Sequence, residues 1–336
     1  MKLAHVGLGY WGPNLLRNWN NLGVLSAAFD INLESVRKYA TSPVYRDVFF
    51  DTNWEFCLGR GDINAVSIAT PPHTHYELTK MALLSDKHVY VEKPMTLKSE
   101  HAEELVELAE ERDLILMVGH TFLYSPEILK MKEIISGDDF GQLLYIYTNR
   151  LNLGKIQSPA NVIEDLAPHD FSIFDFLIDS ACEKIQAFAT NHILDSEDIA
   201  FVNAKYKNGV TTHMHLSWLD PLKVRRLVAV GSKKMAVCDS LSENKIAVYD
   251  KGVDLQLVEN QASGDYSRHL LSYRYGDVLL PHIDVYEPLA EMCTAFVHSV
   301  EDEYPPLSDG NSGVKVVKSL NAAQESMKKE GLWIKV

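Results

Sequence analysis

The sequence has no long apolar run; nothing in it approaches the ~20 consecutive apolar residues that a membrane-spanning helix needs. It is short of basic charge. Lys and Arg number 32 against 46 Asp and Glu, a net charge of −14. A field of that sign repels phosphate backbones and anionic lipid, so neither nucleic acid nor a membrane is an expected partner. An anionic small molecule stays compatible, because local basic residues override the global sign. Cysteine is sparse. Cys57, Cys182, Cys238 and Cys293 stand far apart, with no C-x-x-C pair and no histidine at ligand spacing beside them. That argues for buried free thiols in a reducing compartment, and no metal site is expected. Repeats and low-complexity tracts are missing as well. No basic segment followed by an apolar stretch opens the chain, so no secretory leader is expected and the expected location is cytoplasmic.

What is present is an ordinary folded composition over 336 residues, a length that suits two domains. The first 120 residues alternate short apolar runs with helical patterns. Strands are expected at 3–6, 24–29, 65–69, 88–91 and 114–118, with Pro13 opening one helix and Asn32 capping another. Helices at about 74–85 and 98–112 separate the later strands. That alternation predicts a doubly wound parallel sheet, a Rossmann domain over residues 1–122. Beyond it a helix at 126–136 leads into closely spaced strands at 143–151, 185–192, 198–207, 210–218, 224–230, 234–239 and 244–249. Asn208-Gly209 marks a hairpin. A helix at 165–179 interrupts them, a polar loop is expected at 259–270, and helices near 287–300 and 310–329 follow. Residues 123–336 therefore read as a second α/β domain on a large open, mostly antiparallel sheet.

Gly7-Leu8-Gly9-Tyr10-Trp11-Gly12 fits G-x-G-x-x-G, directly after a strand and opening a helix. The first glycine permits the turn, the second admits a pyrophosphate, and the third lets helix and strand pack. The loop, with Tyr10 and Trp11, is the expected cofactor cradle. Asp30 ends the second strand, 18 residues beyond Gly12. A carboxylate there suits the ribose hydroxyls of NAD and repels a 2′-phosphate. Arg37 and Lys38 follow nearby and leave room for NADP. Thr70, Pro71 and Pro72 follow the strand at 65–69, where a stiff loop suits a nicotinamide ribose. His75 belongs with that loop, or contacts backbone at a helix start.

Glu92-Lys93-Pro94 follows the strand at 88–91. With the glycine loop, the T-P-P-x-x-H segment and Asp165-Leu166-Ala167-Pro168-His169-Asp170, it resembles the Gfo/Idh/MocA family of NAD(P)-dependent oxidoreductases over nearly the whole chain. Gly119-His120-Thr121-Phe122-Leu123-Tyr124 and Glu287-Pro288-Leu289 are similar to its sugar and sugar-nucleotide dehydrogenase branch. Pro72 stands where the family often has Asn, a departure that touches one cofactor contact and not the fold. The resemblance implies that Glu92 and Lys93 belong to the cofactor site. It implies that Lys93 and His169 face the nicotinamide from opposite domains. It also implies that the sheet face forms contacts of a homodimer or homotetramer.

Oxidation of a secondary alcohol needs hydride and proton to leave together. An ammonium at Lys93 suits the substrate oxygen and its developing charge. His169 suits proton transfer near neutrality, and Asp165, four residues before it, suits orienting the imidazole or binding a hydroxyl. If Glu164 or Asp165 starts the helix, Pro168 lies in its first turn; Asp170 then reads as capping. Arg150, Asn152 and Lys155 end the first strand of the second domain, where a basic pair suits a diphosphate or carboxylate; a solvated edge strand is the other reading. Tyr124 is expected to line the same pocket. Lys223, Arg225 and Arg226 read as an exposed strand face. The expected activity is NAD-dependent oxidation of a ring hydroxyl, at C3 by analogy, of a sugar or nucleotide sugar used for surface polysaccharide. The alternatives are an NADPH-dependent ketosugar reductase, a free-polyol dehydrogenase and a non-catalytic dinucleotide sensor.

Overall fold

A computed structural model describes residues 1–154, 156, 160–258, 268–302 and 304–336. The chain forms two compact units: Met1–Ser125 with Tyr286–Asn321, and Pro126–Val285 with Ala322–Val336. The boundary expected at residue 122 lies close to the first break. The assignment of all later residues to the second domain does not hold, because 286–321 returns to the first unit. Side-chain chemistry explains the return. Arg17 grips Glu287 through both Nη atoms at 3.2 and 2.5 Å. Phe296 stacks edge-on against Trp19 and Tyr90, with centroids 5.8 and 6.1 Å apart.

In the first unit the order along the chain is β1 (Leu3–Val6), α1 (Gly12–Asn21), β2 (Leu25–Phe29), α2 (Leu33–Ala40), β3 (Phe49–Asp51), β4 (Ala65–Ile68), α3 (His75–Leu84), β5 (His88–Val91), α4 (Ser99–Glu111) and β6 (Leu116–Val118). The strands pair in parallel in the order β3-β2-β1-β4-β5-β6. Four of them are apolar throughout or nearly so, as a sheet covered on both faces requires. Asn32 caps α2 as expected, its side chain accepting from Glu34 and Ser35. The unforeseen strand is β3. It has three half-exposed or exposed residues at the sheet edge, too short for a periodic signal.

The second unit holds α5 (Pro126–Ser136), β7 (Leu143–Leu151), α6 (Val162–Ile178), β8 (Cys182–Thr190), β9 (Ile199–Tyr206), β10 (Thr211–Ser217), β11 (Val224–Gly231), β12 (Met235–Asp239), β13 (Ile246–Val258) and β14 (Arg268–Leu279). The returning residues add α7 (Pro288–Asp302) and most of α8 (Gly310–Lys328) to the first unit, while the end of α8 and β15 (Ile334–Lys335), at a sheet edge, belong to the second. The nine-stranded sheet runs β14-β13-β12-β11-β7-β10-β9-β8-β15. It is mostly antiparallel, with β7 and β10 parallel. β7 is therefore central and not an edge strand. β13 runs beyond the strand expected at 244–249 and β14 was not expected; Val253, Tyr273 and Tyr275 are all exposed, so no alternation of buried positions marks the pair. Of the loop expected at 259–270, residues 268–270 begin β14, and 259–267 lie outside the described residues, as does Lys155.

Register sorts the sheet residues by face. Tyr145, Tyr147 and Asn149 of β7 pair with Thr211, His213 and His215, and with Val230, Val228 and Arg226. The alternate residues Ile146, Thr148 and Arg150 pair with Ala229, Leu227 and Arg225. The second set is the covered face, on which α6 packs through β7, β9 and β10.

Candidate active site

The glycine loop follows β1 at the point where the sheet order reverses, the usual ligand crevice of this topology. Gly7 has φ +105°, and a Cβ on it would lie 2.5 Å from the Ala69 carbonyl oxygen. A Cβ on Gly12 would lie 1.9 Å from the Gly7 carbonyl oxygen, so strand and helix meet only over hydrogen. At Gly9 the Cβ position is open, with no atom within 4 Å. Asp30 accepts from the Leu8 amide at 2.6 Å and the Asn32 amide at 2.7 Å, which sets its carboxylate at the end of β2. Open backbone at Gly9, the α1 N-terminus and the Asp30 carboxylate fit a dinucleotide. Tyr10 is 93% exposed beside them.

Two neighbouring strand ends are tied to this loop. Glu92 is buried, and burial pushes its carboxyl pKa up. Its Oε1 accepts from Tyr90 Oη at 2.7 Å and Trp11 Nε1 at 2.9 Å; its Oε2 accepts from the Lys93 amide at 3.2 Å. Glu92 thus fastens the glycine loop to the residue that carries Lys93. Lys93 itself is half-buried and precedes a cis Pro94. His75 takes the second of the two roles weighed for it. It is fully buried, with Nδ1 2.8 Å from the Pro94 carbonyl and Nε2 2.8 Å from the Thr70 carbonyl. It braces the two loops instead of touching a ligand. Thr70 Oγ1 lies 2.7 Å from Thr74 Oγ1, and Pro71 and Pro72 are exposed beyond it. His120 is buried at the end of β6, and neither ring nitrogen has a hydrogen-bond partner among the described residues. Burial, with the Lys93 charge nearby, pushes its pKa down to about 3.

In the second unit α6 begins earlier than expected. Asn161 and Glu164 form a reciprocal capping box. Pro168 is consequently interior, where its ring removes the amide that would bond the Glu164 carbonyl. Asp165 and His169 still share one face, both half-buried. Trp218 Nε1 donates to Asp165 Oδ2 at 3.2 Å. Asp170 is not a cap. It is buried mid-helix and accepts from Arg150 Nε at 3.2 Å and Nη2 at 2.8 Å.

This pairing alters the expected substrate contacts. Arg150 sits on the covered face of a central strand and is committed to Asp170. Asn152 accepts from Arg225 Nη2 at 2.7 Å. Tyr124 is buried in the first unit, 3.3 Å from Ser308 Oγ, and burial pushes its pKa up to about 12. Three residues escaped the sequence reading: Trp218, His120 in its buried setting, and Arg225. Arg226 and Lys223 are exposed as expected, but Arg225 is half-buried. The signal was its phase, two residues before Leu227 on the covered face. The apolar run Leu227–Val230 fills both phases and hid it. Among the described residues no cluster of His, Cys, Asp and Glu is arranged to hold a metal, and no helix is long and apolar enough to cross a membrane.

Comparison with known proteins places the architecture. Residues 1–120 match the profile of an oxidoreductase family with an NAD-binding Rossmann fold, and residues 128–237 match the GFO/IDH/MocA C-terminal domain. A UDP-N-acetylglucosamine 3-dehydrogenase from Acidithiobacillus ferrooxidans is 27% identical over 253 residues, covering 75% of this chain and 78% of its own. A myo-inositol 2-dehydrogenase from Thermotoga maritima is 22% identical, covering 98% and 97%. A solved structure of UDP-N-acetylglucosamine 3-dehydrogenase from A. ferrooxidans superposes with a TM-score of 0.81 at 23% identity, covering 98% of each chain.

Proposed function

The chain belongs to the Gfo/Idh/MocA family of NAD-binding oxidoreductases, and from that premise we propose that it oxidises a ring hydroxyl of a nucleotide-activated sugar, at C3. The observation that carries the reading is Lys93. It stands half-buried at the carboxyl end of β5, in the unit that holds the dinucleotide loop, with its backbone pinned by Glu92. NAD, when bound, supplies the acceptor for the hydride. Lys93 hydrogen-bonds the substrate oxygen and stabilises the charge that develops there. His169 takes the hydroxyl proton and returns it in the reverse direction. Asp165, held by Trp218, binds a neighbouring hydroxyl or orients the imidazole. Surface-polysaccharide synthesis is the setting this substrate class suits. Exposed Tyr145, Phe188 and Phe201 on the open sheet face support a homodimer or homotetramer, which sedimentation would test.

One observation favours a second reading. With Arg150 committed to Asp170, one of the basic groups offered for a diphosphate is taken, which suits a free polyol. The same experiment tests both. The protein is mixed with NAD and UDP-N-acetylglucosamine, N-acetylglucosamine or myo-inositol, and reduced nicotinamide is followed by absorbance. The proposal expects the nucleotide sugar to be the best substrate by kcat/KM. Equal or better use of a free sugar or inositol supports the second reading, and no reduction with any of them overturns both.

A further inference from the structure

We propose that Arg225 is the anion anchor of the substrate site, binding an oxyanion group of the substrate: a phosphoryl group of a nucleotide sugar or the carboxylate of an acidic sugar. The inference rests on the sugar-dehydrogenase reading and deepens it. Its first support is a count of donors. A guanidinium has five N–H groups. Nη1 uses two on the carbonyls of Leu151 at 2.9 Å and Val224 at 2.8 Å, and Nη2 uses one on Asn152 Oδ1 at 2.7 Å. The Nε–H and one Nη2–H have no partner among the described residues. Two guanidinium donors are what a bidentate contact to a carboxylate or phosphoryl group requires. The three acceptors meanwhile fix the plane of the group before any ligand arrives, which lowers the cost of ordering it on binding.

The second support is charge. Arg225 and Arg150 are register partners on β11 and β7, side by side on the covered face. Arg150 is neutralised by its bidentate bond to Asp170. Arg225 has no carboxylate within ion-pair distance among the described residues. Burial, and then the Arg150 charge, pull its pKa down to about 10, so it remains a cation at neutral pH in surroundings that disfavour one. Asp170 and Asp165 offset part of this from beyond ion-pair distance. A half-buried cation with no directly paired carboxylate is costly to keep, and an incoming oxyanion relieves that cost. The third support is place. Arg225 bonds Asn152, Asn152 and Trp218 flank Gly154 at 2.7 and 2.9 Å from its Cβ position, and Trp218 in turn donates to Asp165. An anion bound at Arg225 brings the attached sugar ring beside Asp165 and His169.

Arg225→Gln removes the charge and keeps donors for the carbonyls; Arg225→Lys keeps the charge and loses the fork. Binding of uridine diphosphate and of glucuronate to each protein, with NAD present, is measured by calorimetry at two salt concentrations. Melting curves and NAD affinity confirm that each variant is folded. Loss of a charge-assisted bidentate contact is expected to weaken binding roughly 10- to 100-fold in Arg225→Gln, with partial recovery in Arg225→Lys. Added salt should weaken wild-type binding more than that of Arg225→Gln. An effect on uridine diphosphate assigns the phosphoryl group, and one on glucuronate assigns the carboxylate. Affinities within twofold of wild type for both probes, or no binding of either by the wild-type protein, overturn the proposal. Because binding is read without turnover, a protein that binds through Arg225 yet oxidises no sugar would retain the anchor and refute only the activity.

Discussion

The loops of the first unit and the covered face of the second solve different problems with different materials. At the strand ends of the first unit the contacts are largely to backbone. Asp30 holds amides, His75 meets two carbonyls, and the glycines work by having no side chain. On the sheet of the second unit charged side chains carry the contacts: Arg150 with Asp170, and Arg225 with Asn152 and two carbonyls. Backbone recognition suits a ligand that never changes, such as a dinucleotide. Side-chain charge can be revised one residue at a time, which suits a substrate that differs between relatives.

The most severe way to break this division is at Lys93 and His169. Lys93→Ala or His169→Ala should cut kcat by roughly 10²–10⁴, the range for one positioned acid–base group, with NAD affinity little changed. Turnover within twofold of wild type removes that residue from the mechanism. Next in size is the buried ion pair. Arg150→Ala should destabilise the second unit by about 3–5 kcal/mol, because it strands the Asp170 carboxylate in the core. Calorimetric melting checks this; a loss below about 1 kcal/mol would show that the pair is solvated in solution.

Acid acts more gradually, and on the first unit through three buried rings. Burial lowers the pKa values of His5 to about 4 and of His120 to about 3, and lowers that of His75 as well. The unfolded chain therefore takes up these protons first. Stability from keeping the rings neutral is complete above about pH 6.5 and drains away as pH falls toward the folded values, at up to about 1.4 kcal/mol per pH unit for each ring. NAD binding should fail with that slope. His120→Leu should flatten it; an unchanged slope would place the acid sensitivity elsewhere. Asp30→Ala comes next, weakening NAD about tenfold and narrowing its advantage over NADP. Fluorescence titration of both dinucleotides decides it, and equal preference in the wild type refutes the role. The smallest effect belongs to Trp11→Phe, which deletes one hydrogen bond to Glu92 and should cost about 1 kcal/mol in melting stability.

The same contrast explains what could be read in advance. The cofactor loop was legible because Gly7, Gly9 and Gly12 obey a fixed spacing imposed by backbone sterics, and Asp30 ends a recognisable strand. The helix bearing Asp165 and His169 was legible from its four-residue spacing, although Asn161 and Glu164, not Asp165, set its start. Arg150 and Arg225 were not. Their meaning depends on which strands become neighbours and in what register, and β7 pairs with β10 and β11, far away in sequence. Asp170 shows the same limit. Its neutralising partner lies 20 residues earlier on another element, so local rules suggested only a cap.

The return of residues 286–321 to the first unit has a consequence for the order of events during synthesis. A ribosome finishes 126–285 before it makes the segment whose Glu287 and Phe296 complete the surroundings of Arg17, Trp19 and Tyr90. Tyr90 in turn holds Glu92. The second unit can thus gather most of its sheet while the first still waits for a wall. A nascent chain halted at residue 285 should protect its β7–β12 region from protease and fail to retain NAD. Cofactor competence is thereby expected to arrive late in this polypeptide, although its signature is written in the first dozen residues.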